Sequence, residues 1–369
     1  YTITLQEDLL KLEEVVVVGY GTARKSDLTG AVVRADLTAL QESPNTNIMN
    51  ALQGLVAGLN VGVSGSAGAD PEFSIRGRTS ISGSTTPLIV LDGIIYRGNM
   101  SDINTNDVAS IDVLKDASAT AIYGSQASNG VLLITTKKGT EKGKPMISYS
   151  GYISYQQPTN SDLKPLNREG FLRKVADRFL SESRTGDDML QMNPNWDPSK
   201  YMADATTLAG YNNGTDTDWW DLLTNDNPYI QSHDISVRGK SDLSSYFFSM
   251  GYLDQENLII NDTYKRYNVR INLDMKVTDW MKIGTQSMFT VSNKSGTTPT
   301  MLNIMETPPL ATAYEENGDP VKLPYKTYVN PLLQIKDDDT NKRYNLNANF
   351  YADIDIPYIK GLNYRNVFY

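Results

Sequence analysis

The residue types most often used in catalysis and metal binding are scarce in this chain. It has no cysteine and a single histidine, His233, among 369 residues. Thiol nucleophiles and disulfides are therefore excluded, and so are most zinc sites, which need several cysteine or histidine ligands. Serines and carboxylates are plentiful, but no spacing groups them into a catalytic constellation. The sequence predicts a protein that is not an enzyme and needs no cofactor.

One short segment invites a nucleotide-binding interpretation. Val15–Val18 is followed by Gly19, Tyr20 and Gly21, which resembles a strand that ends in a glycine turn. The dinucleotide-binding pattern Gly-x-Gly-x-x-Gly fails because Arg24 occupies the place of the third glycine. A nucleotide-dependent oxidoreductase therefore ranks far behind the other hypotheses.

A second candidate site combines neighbouring aromatic rings with carboxylates. Trp219 and Trp220 follow Asp216 and Asp218, a combination that suits a sugar-binding platform. The alternative, which is the more common one, is an aromatic pair that packs a loop. The run Asp337–Asp339 offers oxygen ligands for calcium, but a solvated acidic loop is its default interpretation.

Composition excludes further classes of protein. The net charge of -9 argues against nucleic acid as a partner, because nucleic-acid binding needs a basic surface. No run of 18 apolar residues is present, so the sequence offers no membrane-spanning helix. Neither end resembles a natural start or stop: the chain opens without a signal peptide at Tyr1 and stops inside an alternating pattern at Tyr369. We expect both ends to be cut.

Residues 26–140 predict a small α+β domain. Apolar residues on one face predict a helix over Asn47–Ala57, ended by Gly58, and a second short helix is expected at Ala117–Tyr123. Short strands are predicted around these helices, at Asn60–Val63, Phe73–Arg76, Leu88–Leu91, Ser110–Leu114 and Gly130–Thr136.

Strict alternation of apolar and polar residues marks the chain from residue 145 onward. In Tyr267–Val277 every odd residue is apolar or aromatic and every even residue is polar, and Tyr344–Ile356 shows a similar alternation. Weaker versions at 146–156, 230–239, 244–254, 281–292 and 362–369 bring the total to about seven strands. Most match the ~9–11 residues of a tilted membrane strand.

The lengths of the connections favour a membrane barrel over a soluble sandwich. Long segments at 157–229 and 293–342 alternate with tight turns, as in outer-membrane barrels with long external loops. The alternative is a soluble or surface-attached β-rich ligand-binding module, such as a lectin-like adhesin, with the apolar face inside. Soluble strands average only ~5–6 residues, so the two longest alternating runs favour the membrane.

Several sequence blocks resemble the SusC-like (SusC/RagA) family of TonB-dependent outer-membrane transporters. Leu12–Gly21 resembles the TonB box of this family, and residues 26–140 carry plug-domain motifs in the family's order. These motifs are Asn50–Val61, Ser74–Arg78, Pro87–Gly93, Ala109–Gly124 and Asn129–Gly139. Ile95 and Gln126 depart from the family pattern.

The resemblance implies a fold and a function. We expect a lead-in over residues 1–25, an α+β plug domain over 26–140 and the N-terminal strands of an antiparallel transmembrane β-barrel over 145–369. Seven strands cannot close around a plug, so the barrel is incomplete within this chain. The implied activity is import of a glycan or oligopeptide across the outer membrane of a Gram-negative, Bacteroidetes-like cell. The implied partners are TonB with ExbB and ExbD, a SusD-like surface lipoprotein and outer-membrane lipid.

The resemblance also assigns site residues. The TonB box comprises Glu13, Glu14, Val15, Val16, Val17, Val18 and Gly19, and an extended β-branched run suits addition to the sheet of a partner. Arg76, Arg78 and Asp92 are assigned to contacts that hold the plug, and the two arginines are expected to meet carboxylates of the barrel wall. A role in signalling would need a further domain before Tyr1.

Overall fold

The computed structural model describes residues 15–18, 21–24, 32–37, 46–77, 85–116, 121–139, 142–159, 164–202, 204–324, 329–359 and 361–369. Four of the predicted site residues, Glu13, Glu14, Gly19 and Arg78, lie outside these ranges.

The first two described strands form an antiparallel pair. β1 (Val15–Val18) pairs with β2 (Gly21–Arg24), and Val18 lies opposite Gly21. A dinucleotide site needs a strand that passes through a glycine turn into a helix, so that the helix N-terminus faces the phosphates. The chain forms a second strand at this point instead. The oxidoreductase hypothesis based on residues 15–24 is therefore wrong.

A small α+β unit, called the N-terminal unit below, contains two sheets. Its strands are β3 (Val32–Arg34), β4 (Leu59–Val61), β5 (Phe73–Ile75), β6 (Leu88–Leu91), β7 (Ile94–Ile95), β8 (Val108–Leu114) and β9 (Val131–Thr136). β4 and β5 pair with each other, and the other five form one sheet in the order β3-β8-β9-β6-β7. Only β6 and β9 run parallel within that sheet. Each strand predicted in this region has a counterpart.

The helices of the N-terminal unit are shorter than the sequence predicts. Helix α1 spans Ile48–Leu52, and Asn47 caps it by accepting a hydrogen bond from the backbone N–H of Met49. It ends early because Gln53 has a non-helical ψ of 122° and Gly54 has a φ of 76°, so the predicted end at Gly58 is wrong. Single 3-10 turns cover Met100–Asp102 and Thr105–Asp107, and a kinked 3-10 segment covers Ala121–Ala127. Residues 117–120 of the second predicted helix lie outside the described ranges.

One hydrophobic core joins α1 to the five-stranded sheet. Ile48 and Leu52 of the helix are fully buried, and they belong to the same cluster as Ile111, Val113 and Ile134 of the sheet. Burial of each such side chain contributes about 1.5–3 kcal/mol. This core holds the N-terminal unit together, and its loops are left to contact the rest of the chain.

Seven strands form a separate, entirely antiparallel sheet, as predicted. They are β10 (Met146–Tyr155), β13 (Tyr229–Lys240), β14 (Ser244–Glu256), β15 (Thr263–Thr278), β16 (Met281–Asn293), β17 (Lys342–Asp355) and β18 (Asn363–Phe368). Their spatial order follows the chain, so each strand pairs with the one before it in the sheet. We call this the large sheet.

The burial of the large sheet is the reverse of that in a soluble protein. On β15, Tyr267 is 55% exposed and Ile271 is 43% exposed, whereas Arg270 between them is 1% exposed. Asn268 and Asn272 are also buried, because this polar face lies against the N-terminal unit. An exposed apolar face opposite a buried polar one suits a sheet with lipid outside and a polar interior. A soluble sandwich would bury the odd residues instead.

Long connections gather at one end of the large sheet. The connection between β10 and β13 holds β11 (Arg184–Thr185), β12 (Gln191–Met192), α2 (Arg168–Arg178), α3 (Leu180–Ser183), α4 (Ala205–Asn212), α5 (Trp219–Leu223) and a 3-10 turn at Pro198–Tyr201. The connection between β16 and β17 holds α6 (Met301–Glu306) and α7 (Pro331–Gln334). The turns at the other end are short. Among the described residues, none of the helices has the length and apolarity needed to span a membrane.

Candidate functional site

The interface between the N-terminal unit and the large sheet is densely polar. Its centre is the segment from Ser101 to Asp107, called the 101–107 segment, which includes the end of the first 3-10 turn and the whole of the second. Arg266 Nη1 donates to the backbone oxygen of Ser101 at 2.6 Å and to that of Ile103 at 3.3 Å. Thr290 Oγ1 donates to the backbone oxygen of Asp102 at 3.1 Å. Two neighbouring strands, β15 and β16, therefore contact one short segment.

Arg270 joins two carboxylates that come from different parts of the N-terminal unit. Its Nη1 lies 3.2 Å from Asp92 Oδ2, and its Nε lies 3.5 Å from Asp107 Oδ2. All three side chains are at least 97% buried. A buried charge without a partner is costly, so each member of this triad depends on the others.

Local backbone geometry fixes Asp92 in this triad. Asp92 and Gly93 connect β6 to β7 with φ values of 52° and 91°, the Asp-Gly pattern of a tight hairpin. Its carboxylate accepts hydrogen bonds from the backbone N–H of Thr136 at 2.8 Å and from Thr136 Oγ1 at 2.7 Å. The hairpin therefore presents a carboxylate that is already oriented toward the sheet.

At Asp234 of β13 the donor and acceptor roles are reversed: the 101–107 segment donates the hydrogen bonds and the sheet accepts them. The side-chain amides of Asn104 and Asn106 both donate to its carboxylate, the second at 2.7 Å. Ser232 Oγ also donates to it, at 2.9 Å. Asn104 Oδ1 in turn accepts from the backbone N–H of Asn106 at 3.0 Å, which fixes both amides in position. The sheet thus supplies an anion where the segment supplies donors.

Asp102 connects the segment to the far side of the sheet. Arg343 Nη2 lies 3.0 Å from Asp102 Oδ1, and Asn345 Nδ2 donates to Asp102 Oδ2 at 3.1 Å. Asn345 Nδ2 also donates to Tyr96 Oη at 3.0 Å. The Arg343 side chain is 41% exposed, so this pair is worth much less than the buried triad.

Burial changes the titration of groups in the N-terminal unit. It raises the pKa of Asp107, and the Arg270 guanidinium and a 2.6 Å hydrogen bond from Ser249 Oγ oppose that rise without cancelling it. Burial likewise raises the pKa of Tyr96 and lowers that of Lys137. Burial is the dominant effect in each case, which is expected where charges leave water for a dry interface.

Of the residues predicted to hold the plug, Arg76 and Asp92 lie in the described part of the chain. Arg76 forms an ion pair with Asp116, and both residues belong to the N-terminal unit. Among the described residues, Arg76 therefore pairs within the unit and not with the sheet. Its expected contact with a carboxylate of the barrel wall stays a prediction. Arg78 lies outside the described residues. Asp92 does contact the sheet, through Arg270, so at this point the arginine is on the sheet and the carboxylate is on the unit.

The predicted sugar platform is occupied by protein contacts. Trp219 is 1% exposed and donates from Nε1 to the backbone oxygen of Pro308 at 3.1 Å. Asp218 caps α5, accepting from the backbone N–H of Trp220 at 3.0 Å. The sugar-platform prediction is wrong for Trp219, because its ring packs the two long connections together.

The neighbours of Trp219 also make contacts within the loops. Asp216 Oδ1 accepts from the backbone N–H of Arg168 at 2.8 Å and so ties the start of α2 to this region. Lys164 Nζ lies 5.8 Å from the centre of the Trp220 ring, over its face. Asp337–Asp339 do not belong to any cluster of three or more potential metal ligands among the described residues.

Arg270 and Asp234 are important at this interface, but neither is among the site residues predicted from the sequence. A signal was available: a charge at an even position of a strand with exposed odd positions must face whatever fills the interior. Asp107 and Asp102, the carboxylates that pair with arginines of the sheet, carry no comparable signal. They lie on 3-10 turns whose direction depends on the tertiary fold.

Comparison with known proteins defines the class. Residues 24–131 match the TonB-dependent Receptor Plug Domain family. TonB-dependent receptor P26 of Formosa agariphila is 37% identical over 312 residues, covering 83% of this chain and 29% of the relative. TonB-dependent receptor SusC of Bacteroides thetaiotaomicron is 33% identical over 280 residues, covering 73% of this chain and 25% of the relative.

The fold comparison agrees. The RagAB peptide importer in its open-open state superposes with a TM-score of 0.75 at 26% identity, covering 96% of this chain and 42% of that one. The closed-closed state of RagAB gives a TM-score of 0.72 at 27% identity, covering 92% and 40%.

The N-terminal unit is therefore a plug domain, and the large sheet is part of a transmembrane β-barrel. The chain belongs to the TonB-dependent receptor family, in its SusC-like (SusC/RagA) branch. It spans 29% and 25% of the length of the two curated relatives named above. The resemblance found in the sequence is confirmed.

Proposed function

We propose that the protein imports a nutrient, a glycan or an oligopeptide, across the outer membrane with energy delivered by TonB. The observation that carries this proposal is a plug held by buried polar contacts against the polar face of a sheet whose opposite face is apolar and exposed. The apolar face suits lipid, which supports a location in the outer membrane. The proposal of a Gram-negative cell of the Bacteroidetes type is supported by the similarity to the receptors of Formosa agariphila and Bacteroides thetaiotaomicron.

TonB is the proposed source of force, with ExbB and ExbD energising it. Within the described residues β1 pairs only with β2, so its second edge is available to a partner strand. An extended Val15–Val18 run favours strand addition, in which backbone hydrogen bonds supply affinity. Pull on this segment reaches the plug through β3, which is an edge strand of the plug sheet.

The plug–barrel interface suits repeated release. Its polar contacts are hydrogen bonds and ion pairs, which water can replace when the surfaces separate. Apolar contacts accompany them, at Met288 in the plug core and between Ala67 and Leu253. Several buried polar atoms there, including Arg266 Nε and Asn272 Oδ1, have no hydrogen-bond partner among the described residues. Such atoms gain hydrogen bonds when water enters, so the free-energy cost of separation is lower than for a fully bonded interface.

A SusD-like lipoprotein is the proposed partner on the outside. RagAB, which matches this chain's fold, is described as a peptide importer. The two long connections of this chain form a packed layer around Trp219 and Leu223 at one end of the sheet, and a folded layer offers a partner a defined surface. The soluble binding-module alternative is disfavoured, because it would leave Tyr267 and Ile271 exposed to water.

Uptake by whole cells tests the proposal. A strain that lacks the gene is compared with its parent on glycans and peptides, and a nutrient whose uptake is lost becomes the reporter. The full-length protein with Val16→Pro should reach the membrane in normal amounts but fail to restore uptake, because proline cannot pair in a strand. Val16→Thr, which keeps a β-branched side chain, is the matched control and should restore uptake. Full uptake by the proline variant would contradict TonB-driven import.

A further inference from the structure

A cavity of about 200 Å³ lies at the point where the chain leaves the plug and enters the large sheet. It is lined by Gly139, Lys142, Gly143, Lys144, Met146, Arg238 and Gly239. Met146 is the first residue of β10, and Arg238 lies opposite it on β13, close to the turn between β13 and β14. The cavity therefore lies at the end of the large sheet that carries the short turns, and we call it the rim cavity.

Close backbone contacts fix the walls of the rim cavity. A Cβ added at Gly139 would collide with the backbone oxygen of Gly239, so only glycine permits the connection from the plug to lie this close to β13. Ser245 Oγ donates a hydrogen bond to the backbone oxygen of Gly139 at 2.8 Å. Further along this connection, Lys142 forms a parallel β-bridge with Lys240. The connection is thus held against the sheet before β10 begins.

The rim cavity carries more positive charge than its neighbours neutralise. Three of its lining residues are cations, Lys142, Lys144 and Arg238. Lys142 forms an ion pair with Asp242. Within the described part of the chain, Lys144 and Arg238 have no carboxylate partner, and Arg238 Nη2 donates instead to Met146 Sδ at 3.2 Å, a weak acceptor. The cavity therefore suits an anion that the described residues do not supply.

Among the described residues, β10 has one edge without a partner strand. It lies at one end of the strand order of the large sheet and pairs only with β13. Its outward side chains Ile147 and Tyr149 are 72% and 68% exposed, as expected where the sheet faces lipid. An unpaired strand edge leaves backbone N–H and C=O groups without partners, which is too costly in lipid. In the full-length protein another strand must therefore pair with β10.

The strand that pairs with this edge is the last strand of the barrel. The described strands of the large sheet follow the chain order, so closure brings the last strand beside the first. Bacterial barrels of one chain have an even number of antiparallel strands, so the last strand runs opposite to β10. Because β10 starts at the short-turn end, the last strand ends there, beside Met146 and the rim cavity. A chain that stops at this point carries an α-carboxylate, which is negatively charged at neutral pH.

We infer that the C-terminal carboxylate of the full-length protein binds in the rim cavity, between Lys144 and Arg238, and closes the barrel against β10. A guanidinium can bond both oxygens of a carboxylate, and an ammonium adds a further donor. Slippage of the last strand by two residues would move the carboxylate by about 7 Å, out of reach of both cations. The contact thus fixes the register of the closing strands. The inference concerns assembly of the barrel and goes beyond the proposed import function.

Carbodiimide crosslinking of the purified full-length protein tests the contact. The reagent joins a carboxylate to an amine that touches it, so peptide mapping should find the C-terminal peptide linked to Lys144 through an amide bond. Lys282 is an exposed lysine near the short turn between β15 and β16, and it should remain unlinked. Lys144→Arg keeps the charge but removes the amine, so the link should disappear while the barrel still assembles. Absence of a link at Lys144, or an equal link at Lys282, would overturn the inference.

Unfolding kinetics separate this contact from other roles of the cations. A Gly-Ser extension of the C-terminus moves the carboxylate out of the cavity, and Arg238→Gln removes the guanidinium. Each change alone should raise the rate of barrel unfolding in dodecyl sulfate about two- to fivefold, the range of a partly exposed ion pair. Together they should have no further effect, because both remove the same contact. Effects that multiply would overturn the inference. So would loss of bound phosphatidylglycerol from Arg238→Gln without a C-terminal crosslink in the parent, which would assign the cavity to a lipid phosphate.

Discussion

Replacement of Arg270 should loosen the plug far more than any other single change at the interface. Arg270→Met keeps an unbranched apolar stem and removes the guanidinium between Asp92 and Asp107. Loss of one partner from a buried ion pair costs about 3–5 kcal/mol, because the remaining charges stay buried without compensation. Burial already raises the pKa of Asp107, so this carboxyl can take up a proton. We therefore expect the lower end, about 3 kcal/mol, or a plug that opens about 100-fold more often.

These 369 residues contain no cysteine, so an introduced thiol can report how often the plug separates from the sheet. Ser101 is 1% exposed at the plug–barrel interface, so a Ser101→Cys variant reacts with a soluble maleimide only when the plug opens. The labelling rate of this variant is compared with and without Arg270→Met. Arg343→Met is the matched control: its pair with Asp102 is partly exposed and is worth about 0–1 kcal/mol, which is less than about a tenfold change in rate.

Neutralising Asp92 and Asp107 should reverse the effect of Arg270→Met on the labelling rate. Asp92→Asn with Asp107→Asn should restore slow labelling to the Arg270→Met protein, because no buried charge then lacks a partner. A labelling rate for Arg270→Met within about twofold of its parent would refute the reasoning, since it would make the triad energetically unimportant. Equal effects of Arg270→Met and Arg343→Met would refute the argument from burial.

Three further changes have definite expected outcomes. Burial raises the pKa of Asp107, so the carboxyl stabilises the docked plug below its unfolded pKa and this stabilisation is lost as pH rises through the raised value. Asp107→Asn should therefore reduce the rise in labelling rate as the pH increases from about 4, the ordinary pKa of an aspartate; an unchanged pH dependence would contradict the assignment. Gly68→Ala should lower the thermal midpoint of the plug in calorimetry, because its Cβ collides with Tyr264, and an unaltered midpoint would rule this out. Trp219→Ala should cost about 3–5 kcal/mol within the long connections and increase their cleavage by protease; parental cleavage would show that this ring does not hold them.

The large sheet was predictable because its signal is local. Alternation within Tyr267–Val277 has a period of two, so the sequence states which residues share a face. The structure confirms this division, since Arg270 is buried and Tyr267 is exposed. The predicted end of α1 at Gly58 is wrong because Gly54, earlier in the chain, already adopts the left-handed conformation.

The contacts across the plug–barrel interface were not predictable in the same way. Arg76 and Asp92 were both assigned to this interface, but among the described residues only Asp92 meets the sheet. These contacts form only when the plug docks onto the sheet. No periodic pattern in the sequence of the plug or of the sheet indicates which residues will lie opposite one another. The Trp219 ring shows the same limit, because its burial depends on Pro308 in a connection far along the chain.

A crosslink between the TonB box and TonB tests the central claim most directly. Val16→Cys introduces a thiol into β1 of the full-length protein, and one cysteine is introduced into the periplasmic domain of TonB. Oxidation of living cells should yield a disulfide adduct of the two proteins, and the amount should rise when the imported nutrient is added. The same thiol placed at Leu302, within the long connections, should give none. Failure of the position-16 thiol to form an adduct, with both proteins present in the envelope, would contradict TonB-driven import through this segment.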